Sequence, residues 1–258
     1  MPLRSLTLDE LTIDDERSFR GVALYARLKE ALRAAGHRFK VADAGETASW
    51  DRALFLNLTY WSPTEEASVL VDGHVAPDVI AHTALHHVVG RALADAADSP
   101  AALLFTEAIA SAFDLYLLGR LLPIAPDSDF VTSQVPIMAE AAEQAGLDEA
   151  GFARLLEGVS AAPERAFEEL RELLFDAGSA LLASADAAAA HVALEGFGGH
   201  RFAPLLHHFQ LSNWILYSRA YARQSPDADE AVRALDRELR ASPDPLAWLE
   251  ARWLAPGP

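Results

Sequence analysis

Residues 80–87 read Ile-Ala-His-Thr-Ala-Leu-His-His. On a helix that turns about 100° per residue, His82 and His86 fall one turn apart on one face. Two imidazoles at that spacing can reach a single tetrahedral cation, which then needs a third donor. Leu85, Val89 and Leu93 share the face, with Val79 at its edge, so the pair is expected on the buried side, while His87 points elsewhere. The following helical stretch carries Glu107 on a face with Leu103, Asp114 and Leu118. A carboxylate on an apolar face is costly unless it is paired or bound to a cation. Consecutive helices with a short connection tend to pack antiparallel, which would set Glu107 against both histidines. The plain alternative is a satisfied polar core, with Arg91 or Arg120 as the counter-ion of the carboxylate.

A strand candidate, then a helix with His-x-x-x-His, then a helix with glutamate in "TEAIAS" (106–111) resembles the gluzincin metallopeptidases over roughly residues 67–120. The resemblance implies a zincin-like core and a mononuclear divalent metal held by His82, His86 and Glu107, zinc before iron. It also places that family's edge strand for a peptide substrate in 67–75. Two positions depart from the family pattern. Thr83 stands where the family carries the glutamate that activates water. Ser111 stands where a carboxylate often holds a ligand histidine, so Asp114 or Asp78 is expected to orient one instead.

General-base help at a metal-bound water is worth roughly 10²–10⁴-fold in rate. A threonine hydroxyl accepts no proton near neutral pH, so ordinary peptidase activity is not expected. Three readings follow. A base from elsewhere would leave an atypical metal-dependent hydrolase; the stretch 198–224 is the richest source, with His207 as acid/base and Tyr217 stabilising an oxyanion. Read as one helix from Pro204, it aligns His207, Gln210, Trp214, Tyr217 and Tyr221, equally the pattern of an aromatic core stripe. Alternatively, two histidines and one carboxylate are the ligands of non-haem Fe(II) oxidative enzymes, which need no adjacent glutamate. Or the site is catalytically silent and binds a peptide, a small molecule or the metal itself.

These residues need helices to hold them, and the patterning supplies helices. Residues 16–36 are periodic and stop at Gly36, a helix terminator. Residues 37–43, 52–61 and 67–75 read as strands, the last broken by Asp72-Gly73. From Pro77 the pattern is helical, with segments expected near 77–97, 99–123, 137–145, 148–160, 163–184, 203–224 and 226–240, and an alanine-rich helix or helix end at 184–194. The proline-dense stretch 123–136 is the linker or lid candidate between a zincin-like α+β region (1–122) and a helical region (137–258), unless the two form one continuous domain. The class expected is α+β, predominantly α-helical, with a small N-terminal sheet.

Composition narrows the function. A formal charge of −17 in 258 residues disfavours nucleic acid and anionic membrane partners. The chain has no cysteine, which removes thiolate ligands, thiol nucleophiles and disulfides and leaves His, Asp and Glu as donors. No apolar leader opens the chain, and the most apolar window, 101–126, is interrupted by Glu107, Asp114 and Arg120, so a cytoplasmic protein with a buried helix is expected rather than a membrane span. The acidic run 9–16 is expected to be a solvated terminal segment. No phosphate-binding glycine loop and no Gly-x-Ser-x-Gly elbow is present.

Overall fold

The computed structural model describes residues 3–42, 69–223 and 225–254. Strand β1 (Leu3–Thr7) pairs antiparallel with β3 (Arg38–Ala42), which pairs parallel with β4 (Val69–Leu70). A second, two-stranded sheet pairs β2 (Thr12–Ile13) parallel with β5 (His74–Val75). Phe39, Val41 and Val69 turn inward from the larger sheet. Helix α1 (Ala23–Ala34) buries Tyr25, Leu28 and Leu32 at helical spacing, packs on α2, and is followed by Gly36 at φ 67°, the left-handed position that favours glycine.

Among the described residues nine further helices follow: α2 (Pro77–Leu93), α3 (Pro100–Leu121), α4 (Asp129–Gln144), α5 (Glu149–Ala161), α6 (Pro163–Ala183), α7 (Ala187–Glu195), α8 (Leu211–Tyr221), α9 (Pro226–Arg240) and α10 (Pro245–Trp253). Five of them open with proline in the first turn, where a missing N–H costs nothing. Ser99, Ser128, Asp148, Asp186, Ser225 and Asp244 cap helix starts by accepting a backbone N–H. The predominantly helical α+β class is as expected.

Helix α3 is the axis of the core. It is apolar all round, as a helix enclosed on every side must be. Its length and composition would suit a membrane span, yet 83% of its apolar window is buried within the protein, against α2, α5, α6, α8 and α9. Gly119 makes the crossing with α5 and α6 possible, because a Cβ there would stand 2.8 Å from the Val159 carbonyl oxygen and 2.9 Å from Pro163 Cβ. One hydrophobic cluster runs from Leu8 to Leu249 and draws on both sides of 123–136.

Several boundaries differ from the sequence reading, each for a local reason. The region 123–136 is loop only as far as Ser128. That serine caps α4 by accepting from Val131 N, and the helix continues through Pro136 because Phe130, Val131, Met138, Ala141 and Ala142 bury one face. Residues 203–224 are not one helix: a 3₁₀ turn at Ala203–Leu205 and further turns lead to Gln210, whose φ of 50° breaks the chain before α8. The acidic run is tied down: Leu8 is buried, Asp9 pairs with Arg33, Asp14 with His74, and Asp15 accepts from the Asp129 amide at 3.1 Å. The first turns of 16–36 are 3₁₀, and the expected strand 52–61 lies outside the described residues.

Candidate metal centre

Helix α2 buries Ile80, Ala81, Ala84, Leu85, Val88 and Val89, and His82 and His86 stand at the rim of that face rather than at its centre. Their side chains are 34% and 32% exposed. His82 meets Asp114 while His86 meets Glu107, so position rises along α2 as it falls along α3 and the two helices run antiparallel. Asp114 lies two turns beyond Glu107 on α3, which stacks the two carboxylates along the line of the two imidazoles.

His82, His86 and Glu107 each point one donor atom inward, and the three donors lie within 4.8 Å of one another. His82 Nε2 and His86 Nε2 are 3.2 Å apart. Glu107 Oε1 is 3.7 Å from His86 Nε2, and Oε2 is 4.0 Å from His82 Nε2. Bonds of about 2.0–2.1 Å to a tetrahedral ion imply donor-to-donor edges of about 3.4 Å. The separation of the two imidazoles lies just under that edge and the two Glu107 distances, which run to different carboxylate oxygens, lie above it, so the three form a group able to hold a metal ion. The metal identity does not follow from them.

The surroundings favour positive charge. Glu107 is 13% exposed, and among the described residues no lysine or arginine pairs with it, with Asp114 or with Asp78. The expected alternative partners are placed elsewhere: Arg120 bonds Glu164 and Tyr116, and Arg91 is exposed. Burial pushes the Glu107 carboxyl above its ordinary range, with His82 pulling the other way. Burial disfavours a charged His82, but Asp114, Glu107 and Asp78 together outweigh it and raise its pKa to about 9. Burial, reinforced by Asp114, raises Asp78 to about 6.

Of the two carboxylates expected beside the histidines, Asp114 is the one in contact with His82. His82 Nδ1 lies 3.3 Å from Asp114 Oδ2, whereas Asp78, one turn before His82 on α2, acts on it only through its charge. An Nδ1–H donated to Asp114 leaves the Nε2 lone pair facing Glu107 and His86. Ser111 is buried on α3 and makes no hydrogen bond to either histidine. Thr83 follows His82 on α2, half-buried and outside the donor triangle.

The C-terminal candidates separate. Tyr217, on α8, is near enough for the Glu107 carboxylate to act on its phenol; burial, then Tyr221 and Glu107, raise its pKa and keep it a donor. His207 is exposed, precedes α8 and lines a groove away from the donor triangle, so it takes no part in the cluster. Its neighbour His208 is half-buried; burial holds its pKa down, and the charge of Asp114 acts the other way. Asp114 Oδ1 and His208 Nδ1 are both buried without a hydrogen-bond partner among the described residues. Sequence reasoning passed over His208 because a helix through 203–224 would turn it off the stripe. His200 accepts from Phe202 N in its own turn.

Comparison with protein-family models, with curated proteins and with solved structures returned no match for this chain.

Proposed function

We propose that this chain is a metal-dependent, hydrolase-like protein with one divalent-cation centre at His82, His86 and Glu107, zinc being the first candidate. The observation that carries this reading is the convergence of three donors within 4.8 Å of one another, one of them on a half-buried glutamate with which no lysine or arginine among the described residues pairs. Three protein donors and partly exposed imidazoles leave a coordination position facing outward, the pattern of catalytic rather than closed structural sites. A bound divalent cation polarises a carbonyl or phosphoryl oxygen and acidifies a coordinated water.

The chain's own residues do the rest. Asp114 fixes His82 in the tautomer that presents Nε2. Tyr217, kept protonated, offers an O–H on the α8 side of Glu107 to a developing oxyanion. Thr83 offers a hydrogen bond but no base, so turnover of unactivated peptides is expected to be slow. The substrate is accordingly taken as a peptide or small molecule with an activated carbonyl.

The test is metal analysis of untagged protein after stripping and reloading. One equivalent of zinc, lost in Glu107→Ala, supports the reading. Failure to retain any divalent metal under all loading conditions refutes it and leaves an ionic core. Retention of iron in preference to zinc moves the site to the two-histidine, one-carboxylate oxidative class. A Thr83→Glu variant that gains peptidase activity would mark the centre as one lacking only its base.

A further inference from the structure

Helices α6, α7 and α8 enclose a groove of about 1080 Å³, comparable to or larger than most small-molecule sites. Its walls are aliphatic: Leu181 from α6, Leu194 from α7, and Leu211, Ile215 and Leu216 from α8. One of the most exposed large apolar side chains among the described residues lies here, Leu216 at 65%. Helix α7 has nine residues and buries none of them. A helix that short has little stability of its own, so an outer wall of this kind gains most from an occupant that covers its apolar side.

The groove also has a charge pattern. Asp186, at one end, caps α7 by accepting from Ala189 N, and Glu195 pairs with His191, so both carboxylates are engaged. Arg219 lines the groove and its Nη2 donates to the Ser184 carbonyl at 3.3 Å, but it makes no ion pair with any described residue. In a chain of net charge −17, a guanidinium held by a backbone carbonyl at the mouth of an aliphatic groove is placed to meet a carboxylate from outside.

We propose that the α6–α7–α8 groove binds a free amphiphilic carboxylate, an aliphatic chain lying along Leu194, Ile215 and Leu216 with its carboxylate on Arg219. The site does not depend on the metal reading, because none of its lining residues belongs to the donor cluster.

The experiment uses the full chain and two probes, dodecanoate and dodecanol, followed by calorimetry. Leu216 and Arg219 are exposed, so their variants are expected to fold, which circular dichroism checks. Saturable binding of dodecanoate is expected. Arg219→Gln should weaken dodecanoate about tenfold, the worth of one charge-assisted contact, while leaving dodecanol unchanged. Arg219→Lys should restore part of the difference, and Leu216→Asp should weaken both probes. The proposal is overturned by absence of saturable dodecanoate binding, by equal wild-type affinity for both probes, or by indifference to Leu216→Asp. Binding seen only with oleate-containing phosphatidylcholine vesicles, and not with monomeric dodecanoate, overturns it in favour of a membrane surface.

Discussion

Replacing Asp114 with asparagine keeps the shape of the side chain that faces His82 and removes its charge. Two opposing effects on metal affinity follow. The lone contact, 3.3 Å from Nδ1 to Oδ2, is longer than the 2.7–2.9 Å of a strong charge-assisted bond, so its loss should fall near the low end of the 10–100-fold cost seen when such partners are removed, about tenfold or ~1.4 kcal/mol. Against this, Asp114 is the largest influence raising His82 to about 9, and a proton on His82 must leave before a cation binds. At pH 7 that proton weakens wild-type binding by up to about 100-fold, an upper bound because a third of the imidazole meets solvent. In the variant, His82 returns toward its ordinary range and the handicap shrinks. Wild type should therefore bind zinc about tenfold more tightly than Asp114→Asn at pH 9, and this advantage should vanish or reverse at pH 7. Competition against a chromophoric chelator at the two pH values measures the ratio. An unchanged ratio refutes the proton-competition argument. Complete loss of binding at both pH values would make Asp114 a ligand rather than a support.

Adding zinc at about 100 times its dissociation constant should stabilise the fold by about 2.7 kcal/mol, raising the melting temperature by roughly 5–11 °C; Glu107→Ala should abolish the rise seen by calorimetry. In wild type, zinc affinity should climb as pH rises from 6 to 9, because free His82 holds its proton over most of that range, releases it only toward pH 9, and must give it up to bind; a flat profile in chelator competition would contradict the raised His82. Arg171 is fully buried and held by Asp236 at 2.6 Å and by Glu168, so Asp236→Ala should cost about 3 kcal/mol, the lower end for a broken buried pair, read from urea unfolding. Gly119→Ala should cost about 1–3 kcal/mol by forcing α3 away from α5 and α6, and a loss below 0.5 kcal/mol would show that the crossing relaxes freely.

The donor triangle was legible in the sequence because each part of it rests on a local rule. Four-residue spacing puts His82 and His86 on one side of a helix, and a short connection forces the next helix back across them. Composition also marked α3 as buried, since a charge every two turns is tolerable only in a helix whose neighbours answer it. What escaped was non-local or hidden in single dihedrals. The turns over 203–210, closed by the left-handed Gln210, are announced by no pattern of apolar residues, and they take His207 and His208 out of the helix that carries Tyr217. Pro136 looked like a stop, but a capped start at Ser128 and a buried face outweighed its missing N–H. The imidazoles proved peripheral on α2 because Ile80, Ala81, Ala84 and Val89, not the histidines, are the fully buried residues of its inner face.

Helix α8 has work on two sides. Tyr217 lies within the electrostatic reach of Glu107, Trp214 and Ser218 pack inward, and Leu211, Ile215, Leu216 and Arg219 border the aliphatic groove. Few of its eleven residues are then free to drift: a change chosen to retune one side must leave the other intact. Mutagenesis along this segment should accordingly be scored twice, once for metal retention and once for carboxylate capture.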